Sequence, residues 1–143
     1  MKILVDGDAC PTKDIIVREA KSRNIPVIVV IDTSHEYSDG YSRVITVDKE
    51  KESADIKIIN LTLPKDIVIT QDFGLAAMAL AKGASALDFN GNKFTDENID
   101  ELLFKRHLGG KIRRGGGKTN TIKKRTKKDN INFEKELLKL MDF

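Results

Sequence analysis

At 143 residues, with 40% hydrophobic and 33% charged side chains, the chain has the size and ordinary composition of one globular domain with its own core. No run approaches the ~18 apolar residues of a membrane span. Acid at Asp6 comes too early for a secretory signal, and a lone Cys10 excludes an internal disulfide and a cysteine-built zinc site.

The expected location is therefore the cytoplasm, with no membrane partner. A net charge of +3 conceals an asymmetry: residues 105–128 hold eleven Lys/Arg and no acid, against 14 basic and 22 acidic residues elsewhere. An acidic body with a basic segment fits a polyanionic partner, and a solubilising tail is the plainer alternative.

In chain order, residues 2–5 read as a short buried strand ending at Asp6. Pro11 suits a first helical turn, and Ile15, Ile16, Val17 and Ala20 share one face of a helix over 12–23, with Asn24 as its stop. The apolar run 26–31 predicts a strand covered on both faces. Polar residues 32–42, with an Asp39-Gly40 turn, read as a mobile loop. A third strand over 43–47 precedes a helix from about Lys51 to Leu61, and a fourth strand follows over 67–70. Asp72 starts an Ala-rich helix that Gly83 can end, and residues 84–89 form a fifth strand before the Asn90-Gly91 turn. Thr95 caps a helix running to about His107. A short amphipathic helix over 131–143 is left to dock on the body or on a second subunit, so the oligomeric state stays open.

Strands alternating with helices predict an α/β fold, a Rossmann-like parallel sheet flanked by helices, in a single domain over 1–143. Ligands of such sheets bind beyond the carboxyl ends of the strands. Asp6 and Asp8 follow the first strand, Asp32 the second and Asp48 the third, while Asp72 lies two residues past Thr70. Asp55 stands beside Ala54 and Ile56 on a core helix. Carboxylates brought together repel, and one pKa rises unless a cation intervenes; hard oxygen donors call for Mg²⁺ or Mn²⁺. Each acid taken singly is also explained as a cap, and Asp32 and Asp48 are read as cap or loop residues. Asp6-x-Asp8 together with Thr70-Gln71-Asp72 exceeds what capping requires.

Val5-Asp6-Gly7-Asp8-Ala9-Cys10-Pro11, Ala54-Asp55 and Thr70-Gln71-Asp72-Phe73-Gly74-Leu75-Ala76-Ala77 resemble the YaiI/YqxD family of bacterial proteins. Arg106-His107 and the basic stretches Arg113-Arg114-Gly115-Gly116-Gly117-Lys118 and Lys123-Lys124-Arg125-Thr126 continue the resemblance over nearly the whole chain. The family is similar in layout to PIN-like nuclease domains. The resemblance implies a metal cluster of Asp6, Asp8, Asp55 and Asp72, with Thr70 orienting the last, and metal-dependent cleavage of nucleic-acid phosphodiesters. The sequence departs from the family pattern at Gly7, where a larger residue, often Ala, is usual; the expected consequence is turn flexibility. A non-acidic residue is common in the family at the position of Asp32, which keeps Asp32 out of the cluster.

In the basic segment, glycines let the backbone approach phosphates while Arg106, Arg113, Arg114, Lys118, Lys123, Lys124 and Arg125 supply charge to RNA or DNA. A Walker loop is excluded, since Ile112 stands where its first glycine belongs. Asp6-x-Asp8 also fits a haloacid-dehalogenase-type phosphatase, although Asp72 stands alone where that class places paired acids. A non-catalytic nucleic-acid-binding protein is the other alternative. Cys10 reads as a packing thiol, His107 as a helix C-cap, and His35 carries no motif.

Overall fold

The computed structural model describes residues 1–51, 53–101, 104 and 124–142. The order of elements is β1 (Ile3–Asp6), α1 (Lys13–Ser22), β2 (Val27–Asp32), β3 (Arg43–Val47), α2 (Ala54–Leu61), β4 (Ile67–Ile69), α3 (Phe73–Ala81), β5 (Ser85–Leu87), β6 (Lys93–Phe94), α4 (residues 96–101) and α5 (Lys127–Met141). The strands form one sheet in the order β3-β2-β1-β4-β5-β6, parallel except for β6, which runs antiparallel to β5. Among the described residues, no helix is long and apolar enough to cross a membrane. The fold is thus α/β with a Rossmann-like sheet, as the alternation of elements predicts.

Strand residues alternate between two cores, because successive side chains leave a sheet on opposite faces. Ile3, Val5, Val29, Ile31, Ile67 and Ile69 point to the face covered by α1 and α5. Leu4, Ile28, Val30 and Val68 point to the face covered by α2 and α3, where the small side chains of Ala76 and Ala79 let α3 lie close. The same parity carries Asp6, Asp32 and Thr70 toward the α2/α3 face. That placement becomes important at the strand ends.

Three local features differ from the sequence expectations. Loop 32–42 is pinned rather than loose: Asp39 accepts hydrogen bonds from Tyr37 Oη (2.6 Å), Tyr41 N (2.8 Å) and Ser42 N (2.6 Å). Partial burial works to raise its pKa, but these donors outweigh it and hold the carboxyl at about 2. A sixth strand follows the Asn90-Gly91 turn, too short for periodicity to reveal. The C-terminal helix begins at Lys127 with a Thr126/Asp129 capping box, ahead of the apolar residues that signal it. It docks on the body through Phe133 and Leu137, both fully buried.

The start of the sheet is tied by Asp66, which is 3% exposed. Its carboxylate accepts from Lys2 N (3.0 Å) and Leu63 N (2.8 Å) and pairs with the Lys2 ammonium. Asp66→Asn keeps the shape but turns an amide donor toward these donors. A loss of about 2 kcal/mol is expected in urea unfolding, with the m-value unchanged.

Candidate functional site

In the strand order 3-2-1-4-5-6 the connection direction reverses between β1 and β4, which opens a crevice beyond their carboxyl ends. Val5 pairs with Ile69, so the next residue pair along the sheet is Asp6 and Thr70. The Thr70 hydroxyl, fully buried, donates to Asp6 Oδ2 at 3.0 Å and accepts from the Asp72 backbone N–H at 3.0 Å. Thr70 therefore orients Asp6, and only the backbone of Asp72; this corrects the expectation that it orients the Asp72 carboxylate. The pairing follows from strand order, which no local motif encodes.

The Asp72 carboxylate caps α3, its Oδ1 accepting from Gly74 N (2.8 Å) and Leu75 N (3.1 Å). Capping occupies one oxygen and leaves Oδ2 available, so cap and ligand roles are compatible. Half-buried Asp55 lies in the first turn of α2, where its Oδ1 accepts from Ile56 N at 3.1 Å. Burial raises the Asp6 pKa, the Thr70 hydrogen bond opposes the rise, and the fields of Asp8, Asp72 and Asp55 add to it. Asp8, Asp55 and Asp72 are thus each close enough to act on Asp6.

Asp8 turns from this group toward β2. It accepts from Asp32 N at 3.2 Å and lies 2.9 Å from His35 Nδ1. His35 Nδ1 is also 3.1 Å from Asp32 Oδ1. The Asp32 carboxyl is held at about 2 by hydrogen bonds from the Ser34 side chain and backbone and from His35. Asp8, Asp32 and His35 each offer a ligand atom within 4.8 Å of the others, a spacing that admits a cation. Asp32 is the last residue of β2, paired with Val47, rather than the cap or loop residue that its sequence context suggests, and it also belongs to the site. His35 has no sequence signal at all, because only the β1–β2 pairing brings residue 8 beside residues 32–35.

The backbone here is tightly fixed. A Cβ on Gly7 would lie 2.6 Å from Val29 Cγ1 and 2.8 Å from Ile31 Cγ2. Gly7 thus provides close approach to β2 rather than flexibility, and the left-handed turn falls on Ala9, at φ 62°. Lys13 Nζ donates to the Gly7 carbonyl at 2.9 Å and steadies the segment between the two acids. Cys10 is 5% exposed, and burial raises its pKa, which agrees with a packing thiol. Asp48 accepts from Glu50 N at 3.0 Å in a turn after β3.

Of the predicted phosphate contacts, Arg106, Arg113, Arg114, Lys118 and Lys123 lie outside the described residues, as does His107. Lys124 is exposed. Arg125 is committed elsewhere: its guanidinium donates to the Phe89 carbonyl (2.6 Å), Asn90 Oδ1 (2.6 Å) and Asn130 Oδ1 (2.8 Å). It clamps the start of α5 to the β5–β6 turn, a structural task in place of the expected phosphate contact.

No solved structure matches the chain. A UPF0178 protein of Ruminiclostridium cellulolyticum is 62% identical over 138 residues, covering 96% of this chain and 90% of the relative. One from Alkaliphilus oremlandii is 55% identical over 142 residues, covering 99% and 92%. One from Lachnoclostridium phytofermentans is 50% identical over 144 residues, covering 99% and 97%. A family model described as "Uncharacterized BCR, YaiI/YqxD family" matches residues 4–142. The chain belongs to the YaiI/YqxD family.

Proposed function

We propose that the carboxylate site binds Mg²⁺ or Mn²⁺ and hydrolyses phosphodiester bonds of a nucleic acid, in the cytoplasm. The observation that carries this reading is the position of Asp6. It is a partly buried carboxyl in the combined field of Asp8, Asp55 and Asp72, at the reversal point of the sheet. Folding alone gives no reason to gather like charges around a buried acid, and a divalent cation would neutralise them. Asp6, through the oxygen that Thr70 leaves available, and Asp72 Oδ2 are the central donors. Asp55 stands beside them, while Asp8, turned toward β2, links the cluster to Asp32 and His35 as further donors. When bound, the cation lowers the pKa of a water and stabilises charge on the phosphoryl oxygens.

Mn²⁺ is expected to raise the melting temperature and to support cleavage of labelled single- or double-stranded RNA or DNA, with EDTA reversing both. Absence of both effects would leave the non-catalytic nucleic-acid-binding reading in its place. Binding of beryllofluoride at Asp6 would instead favour the phosphatase reading.

A further inference from the structure

Beside the carboxylates lies a cleft of about 480 Å³, lined by Ala9, Pro11, Gln71, Asn90, Lys124 and Asp129 among others. Its volume is that of a small-molecule pocket (~300–1,000 Å³). It adjoins the acidic site along the chain: Ala9 follows Asp8, and Gln71 sits between Thr70 and Asp72. The two sites therefore share both loops that position the carboxylates.

The cleft carries side-chain donors beside the one carboxylate of Asp129. Gln71 Oε1 accepts from the Phe89 backbone N–H at 3.3 Å, which leaves its NH₂ group to donate. Asn90 Oδ1 accepts from Arg125 at 2.6 Å, which likewise leaves its NH₂ group. These contacts define the orientation of both amides. Lys124 is exposed and has no ion-pair partner among the described residues. The lining thus combines an exposed ammonium and two pre-oriented amide donors with the single carboxylate of Asp129. Such a surface suits a ligand that is anionic and rich in acceptors, as a nucleotide is.

We infer that this cleft receives one nucleotide of an unpaired strand, adjacent to the phosphodiester held at the carboxylates. Lys124 contacts its phosphate, and the Gln71 and Asn90 amides contact acceptors on its base or sugar. Paired bases keep their edges and faces engaged within the duplex, so a one-nucleotide cleft lined by side-chain amides selects an unpaired strand. The inference rests on the phosphodiester reading for its orientation.

The test is anisotropy of fluorescein-labelled ten-residue DNA and RNA, unpaired and as blunt duplexes, in EDTA. Gln71→Glu preserves the acceptor for Phe89 N but replaces the free donor with a charged oxygen. Lys124→Ala removes the ammonium. Each is expected to weaken binding of the unpaired strand at least about tenfold. Lys139→Ala, near the far end of α5, is expected to leave it unchanged, and duplexes are expected to bind more weakly than unpaired strands. The tighter of the two unpaired probes identifies the sugar. No binding of any probe, equal loss in Lys139→Ala and Lys124→Ala, unchanged affinity in Gln71→Glu, or equal affinity for duplex would each overturn the inference. Since binding is read without metal, it is separable from turnover. Intact cleft binding with no cleavage counts against the nuclease reading alone; cleavage unaffected by the cleft variants counts against the cleft alone.

Discussion

Asp6→Asn is expected to lower Mn²⁺-supported cleavage by ~10²–10³-fold or more, the scale seen when one preorganised electrostatic group is lost from an active site. The substitution is close to isosteric, and its amide oxygen can still accept the Thr70 hydroxyl that now reaches Asp6 at 3.0 Å. What changes is charge. The wild-type carboxyl is disfavoured as an anion by burial and by Asp8, Asp72 and Asp55, so removing its charge relieves repulsion in the metal-free protein. The melting temperature without metal is therefore expected to hold or rise, while the increase produced by Mn²⁺ disappears. A merely structural Asp6 would give the reverse pattern, with a loss of stability and a retained response to metal. Cleavage that persists unchanged in Asp6→Asn would remove the carboxylate cluster from the reaction.

The largest stability effect is expected at Phe133. It is the largest of the fully buried side chains among the described residues, and it lies on α5 within the core that α1 also covers. Phe133→Ala deletes the ring and leaves a cavity against a close-packed sheet, which costs about 3–5 kcal/mol. In a chain of this size that is a fall of roughly 10–20 °C in melting temperature. Ile131, two residues earlier on the same helix, is 68% exposed. Ile131→Ala is expected to stay within about 0.5 kcal/mol of wild type. Equal effects of the two substitutions in thermal and urea unfolding would show that α5 is not anchored as described.

The elements most legible in the sequence are those whose signal is local. Local pattern predicts Arg43–Val47 with its observed bounds, and it places Asp72 at the start of α3 because an acid before an apolar helix is a recognisable cap. β6 leaves no such signal because two residues carry no alternation, although the Asn90-Gly91 turn before it is plain. The site divides along the same line. Asp6, Asp8 and Asp72 flank strands and can be found by position, while Asp55 is marked by an acid's odd place beside Ala54 and Ile56 on a core helix, and the family resemblance adds it to the cluster. Asp32 and His35 approach Asp8 only because β2 lies beside β1, with Asp6 in register with Val30. Strand order is a global property, and a polar loop read on its own contains no trace of it. Arg125 shows the converse: its charge suggested a ligand contact, and its three acceptors, on Phe89, Asn90 and Asn130, became adjacent only through folding.

The position of α5 has a consequence for the order of events during synthesis. One face of the sheet depends on this helix for its cover, and the ion pair between Arg23 and Asp142 closes a separation of 119 residues. With elongation at ~5–20 residues per second, the strands that define the acidic crevice leave the ribosome on the order of seconds before the helix that seals their other side. During that interval Ile3, Val5, Ile67 and Ile69 have an incomplete apolar cover. The nascent chain is thus most exposed to chaperones and proteases while its chemical site is already assembling. Lys124, Thr126 and Asp129 line the cleft from the start of α5, so the cleft is complete only once that helix has docked.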